Sequence, residues 1–464
     1  MLYEFLSVEK SSGVLLYEQL YDKVRLAIGK GLLKKGDKLP SIRRLSEDLS
    51  VSRTTVESAY DQLCAEGYLS NRPQRGFFVE AEQLDIPTSP SHLPSEPSRL
   101  HKTLVRYDFS SSSVDPEYTD IKFWQRLIKD VYEKPYVITS YGQPQGEKEL
   151  RSALCEYSRR VRGVSADPDR IVIGAGTQAL LSVLIGLLDG YGYSAAMEQG
   201  FFPQGEQIFR DFRYDITPLS ADKEGIILDD SVRSRVLFVN SSGSMRGSAP
   251  IPVNKRAQII RWAKRRDAVI IEDDFNGELR YTSKPVPALQ GMCGSRVVYL
   301  GSFSKLLLPS VRISYMVLPP SLSGRYAERC SNYNQTASKA EQLALAQYIS
   351  CGRLDRQLRR LRKLYSEKSA VMYASVKECF PSDTIVDVIE TALCVRIKLN
   401  TETSLDELRK RAENSGIRLG KCREKNGLKY FYLSFAGIAS DEIPQAVNCL
   451  YREVFQEPFV EKYH

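Results

Sequence analysis

No two of the nine cysteines stand in a CxxC pair; they are scattered from Cys64 to Cys449. That spacing argues against a structural zinc site, so no bound metal is expected, and an odd, dispersed set suits free thiols better than a disulfide framework. Long apolar runs are missing too, and nothing approaches the ~18 residues a membrane span needs. The N-terminus lacks a charged start followed by an apolar run and a small-residue cleavage site, so a cytoplasmic location is expected. Charge of one sign is scarce as well: 65 Lys and Arg face 57 Asp and Glu, a formal balance of +8. Such a balance permits a nucleic-acid partner but does not require one. No internal repeat is visible.

What is present is ordinary globular material, 464 residues with 42% hydrophobic and 26% charged. That length suits two to four domains. Residues 86–98 hold four prolines and four serines, a composition too poor in apolar groups to offset the entropy of folding. The chain therefore divides into residues 1–80, a Pro/Ser-rich linker over 81–106, and a second body over 107–464.

In the first eighty residues, helical spacing over 15–30 is followed by a Gly36-Asp37 break and a helix-start signal at Pro40-Ser41. A short helix is expected over 42–49 and another over 53–66, with Ser52 as its N-cap. Two short strands around a basic, Gly-containing tip follow up to Val79. Helix, helix–turn–helix and hairpin in that order predict a winged helix-turn-helix. The recognition helix would lead into the major groove with Ser52, Arg53, Thr54 and Thr55. Net charge adds little, since twelve Lys and Arg stand against eleven Asp and Glu here. The basic residues do gather at turns, helix starts and the wing: Lys34, Lys35, Lys38, Arg43, Arg44, Arg53, Arg72 and Arg75.

From about 140 to 330, helical patterns (147–161, 177–188, 254–265) alternate with short apolar runs (170–173, 194–197, 236–239, 268–271, 297–300). That alternation predicts βαβ units and a mainly parallel sheet. Beyond about 331, helices precede strands at 393–399 and 429–435, which predicts a smaller α+β lobe. Three motifs carry chemistry. Val298-Tyr-Leu-Gly-Ser-Phe-Ser-Lys-Leu-Leu-Leu-Pro-Ser-Val-Arg312 runs from a strand into a Ser-rich turn bearing Lys305, with Arg312 seven residues on. Val269-Ile-Ile-Glu-Asp-Asp274 delivers carboxylates at a strand end. Val172-Ile-Gly-Ala-Gly-Thr-Gln178 leaves a strand through a Gly-rich turn into a helix, whose amides can cradle a phosphate. An amine, a phosphate cup and a carboxylate for a ring nitrogen are the parts that pyridoxal phosphate (PLP) chemistry uses. Singly each motif is weak; their order and spacing together are not.

Residues 40–56, Pro-Ser-Ile-Arg-Arg-Leu-Ser-Glu-Asp-Leu-Ser-Val-Ser-Arg-Thr-Thr-Val, with the wing Arg75-Gly-Phe-Phe-Val79, resemble the GntR-type winged helix. The resemblance implies operator contacts from Arg43, Ser52, Arg53, Thr54, Thr55 and Gly76. Glu57 departs from it, standing where some members have a DNA-contacting Arg. The body resembles the fold-type I PLP enzymes of the aspartate aminotransferase class, and the pair of domains resembles the MocR/GabR-type regulators, including PdxR-like members that control vitamin B6 synthesis. This implies Lys305 as the Schiff-base lysine and Asp273 as partner of the pyridine nitrogen. It implies that Gly176, Thr177, Gln178, Ser302 and Arg312 hold the phosphate, and that Tyr141 reaches it from the partner subunit of a homodimer.

Several positions depart from the pattern. Phe275 replaces a Tyr that bonds the cofactor's phenolic oxygen. Phe202 can stack on the ring but offers no hydroxyl. The loop 240–247 replaces a more regular segment, and Tyr432 stands where aminotransferases keep the Arg that grips the substrate carboxylate. Losing that guanidinium removes a charge-assisted anchor worth roughly 1.5–3 kcal/mol, so efficient transamination is not expected. The expected function is a dimeric, PLP-binding transcription regulator that partners operator DNA. Its effector is PLP itself or a small amino compound, and the missing anchor tilts the choice to PLP. The alternatives are a working aminotransferase with a DNA-binding appendage, and a regulator whose body only dimerises.

Overall fold

The computed structural model describes residues 6–9, 13–81, 105–110, 113–200, 202–222, 224–243, 250–282, 285–425 and 427–456. Most of the expected Pro/Ser linker lies outside these residues, as does 244–247 of the expected 240–247 loop. The chain forms two units, Met1–His101 and Lys102–His464.

In the first unit, helices α1 (Leu16–Gly29), α2 (Ile42–Leu49) and α3 (Arg53–Ala65) precede a hairpin of β1 (Leu69–Arg72) and β2 (Gly76–Val79). Serines set the helix starts: the Ser41 hydroxyl accepts the Arg44 N–H, and the Ser52 hydroxyl accepts the Thr55 N–H at 3.1 Å. Such caps satisfy donors that a helix N-terminus leaves unpaired. Ser50 in the left-handed region (φ 52°) ends α2 and makes the turn into α3. The apolar stripes close on one core of Leu20, Val24, Leu45, Val56, Tyr60 and Phe77. The antiparallel register Leu69↔Val79 to Arg72↔Gly76 completes the wing.

The second unit begins with β3 (Tyr107–Asp108). Helix α4 (Lys148–Arg162) leads to β4 (Ile171–Gly174) and α5 (Thr177–Leu187), then β5 (Ser194–Glu198), α6 (Pro203–Asp211) and β6 (Asp215–Leu219). The sheet continues with β7 (Val236–Val239), β8 (Val269–Asp273) after helix α7 (Val253–Arg265), β9 (Val297–Ser302) and β10 (Ser314–Val317). The strand order is β4-β10-β9-β8-β7-β5-β6. Only β10 runs antiparallel to its neighbours. A buried strand reads as the same apolar run in either direction, so the pattern predicted the sheet and not the reversed strand.

The smaller lobe stacks α8 (Lys339–Ser350) and α9 (Arg353–Cys379) before β11 (Ile385–Ile389), β12 (Cys394–Leu399), β13 (Ile417–Arg418), β14 (Cys422–Lys425) and β15 (Leu428–Ser434). Its sheet order is β11-β12-β15-β14, while β13 pairs in parallel with β3. The first strand of the body is thereby tied to the small lobe, some 310 residues away in sequence. Among the described residues no helix is long and apolar enough to cross a membrane.

Candidate functional site

Three consecutive carboxylates end β8, and alternation sends them to opposite faces. Asp274 forms a fully buried ion pair with Arg162, whose Nη2 donates at 2.8 Å, and accepts the Tyr299 hydroxyl at 2.7 Å. Glu272 accepts the Leu289 and Gln290 amides at 2.7 and 2.9 Å and the Ser241 hydroxyl. Asp273, between them, is also buried, yet among the described residues it has no hydrogen-bond or ion-pair partner. Burial, reinforced by its two acidic neighbours, pushes its carboxyl up to about 7. A buried carboxylate without a partner is costly unless a cation arrives to meet it.

Asp273 faces a cavity of about 690 Å³ that Thr177, Gln178, Phe202, Phe275, Ser302 and Arg312 also line. These residues lie in four separate stretches of sequence, so their meeting is a finding of the fold. Thr177 and Gln178 open α5, and Gly176 before them takes φ 93°. A Cβ on Gly176 would stand 2.4 Å from the Arg312 guanidinium, so only glycine lets that cation lie across the helix N-terminus. Arg312 itself is held at φ 54°, a left-handed conformation that costs an arginine roughly 1–2 kcal/mol. Helix amides, two hydroxyls and one guanidinium thus converge as an anion cup. Ser302 is linked to Ser304 at 3.2 Å at the same edge.

Phe202 also lines the cavity and stacks on Phe238, with centroids 5.8 Å apart. Phe275 and Phe202 offer no hydroxyl to the cavity. Lys305 is absent from the cavity lining. Its buried amine instead donates to the Ser113 carbonyl at 3.0 Å, on the segment that follows β3. Burial lowers its pKa to about 8, with Asp108 pulling the other way. Tyr141 stands fully exposed, outside the cavity.

Residues the sequence motifs missed also line the cavity: Asn240, Thr391, Cys394 and Lys421. Asn240 accepts the Ser242 and Gly243 amides through Oδ1, which leaves its NH2 group unspent. The 240–247 departure was a faint signal for Asn240. Nothing in the sequence pattern marked Thr391 or Lys421, which arrive with the small lobe. Tyr432 lines the cavity as its place in the motif suggested.

On the first unit, Arg53 and Thr54 are exposed at the start of α3. The Ser52 hydroxyl sits 2.8 and 2.7 Å from those of Thr54 and Thr55, so these three side chains form one fixed cluster. Arg53 has no hydrogen-bond or ion-pair partner among the described residues. Arg43 pairs with Glu47 at 3.1 Å, an exposed pair of little energetic weight. Gly76 opens β2 at φ 98°, and Arg72 in the wing pairs with Glu80 at 2.9 Å.

The family models agree with this division. Residues 16–79 match the bacterial regulatory proteins of the gntR family, and residues 113–447 match aminotransferase class I and II. The HTH-type transcriptional regulator YhdI of Bacillus subtilis is 34% identical over 96% of each chain. The chain belongs to the MocR-type regulators of the GntR family. The probable rhizopine catabolism regulatory protein MocR of Rhizobium meliloti is 30% identical, covering 96% of this chain and 95% of that one. The pyridoxine biosynthesis regulator PdxR of Corynebacterium glutamicum is 28% identical over 81% and 80%. An archaeal alanine:glyoxylate aminotransferase superposes with a TM-score of 0.68 at 18% identity, over 75% of this chain and 90% of its own. This MocR-type chain is therefore a transcriptional regulator whose body has the aminotransferase fold.

Proposed function

We propose that this MocR-type regulator binds PLP in the 690 Å³ cavity and converts its occupancy into a change in operator affinity. The observation that carries the proposal is Asp273, the one carboxylate of three left unpaired, in the same cavity as the Gly176–Arg312 cup. A phosphorylated pyridine needs both, an anion site at one end and a carboxylate for its ring nitrogen. Bound there, PLP supplies an aldehyde that reacts with primary amines and a ring that withdraws electrons.

The residues divide the work. Thr177, Gln178, Ser302, Arg312 and the α5 amides hold the phosphate, and Gly176 makes room for the guanidinium. Asp273 holds a proton on the ring nitrogen. Phe202 and Phe275 supply apolar walls in place of hydroxyl donors. Lys305 carries the cofactor once its amine leaves the Ser113 carbonyl, and a pKa near 8 keeps part of it as the reactive free base at neutral pH. That exchange frees a carbonyl on the segment that follows β3. Operator contacts come from Arg43, Ser52, Arg53, Thr54, Thr55 and Gly76.

The working form is a homodimer. Tyr132, Tyr136, Ile138 and Tyr141 are all exposed within ten residues, an apolar patch of the kind a partner covers. Tyr141 in that patch would reach the phosphate of the partner's cavity. The test is absorbance of the purified full chain titrated with PLP. A saturable band shifted to longer wavelength from that of free PLP, absent in Lys305→Ala, is expected. A wild-type chain with no such band overturns the proposal.

A further inference from the structure

Most of the chain's positive charge lies outside its DNA-binding unit. The formal balance is +8, yet the first eighty residues hold twelve Lys and Arg against eleven Asp and Glu. Between Arg353 and Lys363, the first three turns of α9, six cations stand against the single acid Asp355. Leu354, Gln357, Leu358, Leu361 and Leu364 turn one face of that stretch into the core. The helical period sends Arg356, Arg359, Arg360 and Lys363, at i, i+3, i+4 and i+7, to the opposite face, and all four are exposed. At a rise of 1.5 Å per residue this stripe is about 10 Å long.

Such a stripe costs the helix stability. Like charges three and four residues apart repel, and Arg356 stands in the first turn, where the helix dipole is already positive. Interleaved carboxylates would relieve this, and the stripe has almost none. Among the described residues Arg356 and Arg359 have no hydrogen-bond or ion-pair partner. Lys363 has only Glu367, at 3.9 Å, with both side chains mostly exposed. Arg360 lies over the Tyr118 ring at 4.9 Å and donates to the Glu117 carbonyl, which does not cancel its charge. Asp355 is already taken, paired through both oxygens with Arg160 near the end of α4 at 2.9 Å. Arg353 is likewise spent on Asp120 at 2.7 Å. The cations left over all belong to the outward stripe.

We propose that the exposed stripe of α9 is a second, sequence-independent contact of this regulator with duplex DNA, made to the phosphates. The proposal rests on the operator-binding reading of the first unit and extends it to the body. A duplex carries about one negative charge per 1.7 Å of its axis, so a row of unpaired cations about 10 Å long meets several phosphates at once. Three of the four cations are arginines, whose planar guanidinium pairs with phosphate through two N–H donors. Such contacts hold and orient a duplex without reading its bases. The winged helix, with nearly balanced charge, reads sequence, and the body supplies electrostatic attraction.

The experiment uses the full chain as wild type, as the triple variant Arg356→Gln, Arg359→Gln, Lys363→Gln, and as the charge-keeping variant Arg356→Lys, Arg359→Lys. Arg360 stays in place because it packs on Tyr118. Affinity is measured between about 50 and 200 mM salt, for a long duplex selected from a random pool by the full chain and for a scrambled one of equal length. The triple variant is expected to lose about tenfold or more in affinity at the low-salt end, equally for both duplexes. Its slope of log affinity against log salt is expected to shrink by roughly 2–3, and that of Arg359→Gln alone by about 1. The charge-keeping variant is expected to retain the wild-type slope. Arg53→Ala, by contrast, should narrow the gap between the two duplexes. Thermal melting and the PLP titration check the fold of each variant. Wild-type slope and affinity in the triple variant and in Arg359→Gln overturn the stripe alone, as does a loss confined to the selected duplex. Vesicles of phosphatidylglycerol that hold wild type and not the triple variant, with the DNA slope unchanged, would assign the stripe to a membrane surface instead. A wild type that binds neither duplex overturns the stripe and the operator reading together.

Discussion

At the scale of residues, the cavity is defined by groups left unsatisfied. Unpaired, Asp273 costs the fold stability, and the sign follows from its raised pKa. The folded carboxyl keeps its proton up to about pH 7, whereas the unfolded one loses it near its ordinary value of 3.8. Stability should therefore fall as pH rises from about 4 to 7 and level off above that. Asp273→Asn removes its own share of this fall and leaves that of Glu278, also raised to about 7, so the variant without PLP should gain about 1–3 kcal/mol at pH 7.5. It should bind PLP more weakly, because an amide cannot hold the ring nitrogen's proton. Chemical denaturation across pH and a PLP titration read the two effects; a variant less stable than wild type at pH 7.5 would contradict them. Lys305 gives a second pH signature. The amine reacts only as free base, so PLP capture should speed up nearly tenfold per unit below pH 8 and flatten above it. Stopped-flow absorbance measures that profile, and a rate independent of pH from 6 to 8 would count against it.

At the scale of elements, a helix start builds each site: serines cap α2 and α3, while Gly176 turns the chain into α5 without a side-chain cap. That feature was legible. Ser41 and Ser52 marked α2 and α3 because a side-chain cap is a local device, readable without the rest of the fold. The Gly176–Gln178 turn and the Asp273 strand end were legible for the same reason. Lys421 and Thr391 were not, because docking of one lobe against another brings them to the wall, and no periodicity encodes that meeting; Asn240, just after β7, had only the 240–247 departure to mark it. The turned-away amine of Lys305 was equally invisible, since it depends on the carbonyl of Ser113, 192 residues earlier. On α3, Arg53 is exposed and unpaired, whereas Arg43 is shared with Glu47. Arg53→Ala should then weaken operator binding by about 1–3 kcal/mol and relax base preference. Lys34→Ala should bring a smaller loss independent of sequence. Gel shifts on a duplex selected from a random pool by the full chain check both, and unchanged affinity in both variants would remove this surface from the DNA interface.

At the scale of the whole molecule, the proposed two-fold arrangement would give one operator two winged helices and each cavity a neighbour's Tyr141. The exposed Tyr136 and Ile138 should lie in that contact. The double change Tyr136→Asp and Ile138→Asp should shift sedimentation from dimer to monomer, and a wild-type monomer at micromolar concentration would refute the arrangement. The body's chemistry serves the DNA-binding unit only if occupancy changes operator affinity, because a ligand shifts an equilibrium only through differential binding to its two states. The most direct measurement is the dissociation constant for the selected duplex, taken with and without saturating PLP, in wild type and Lys305→Ala. The account predicts at least a fivefold change on adding PLP to wild type, and a much smaller one in the variant. Equal affinity with and without PLP in the wild-type protein, with its absorbance showing the cavity filled, would contradict it.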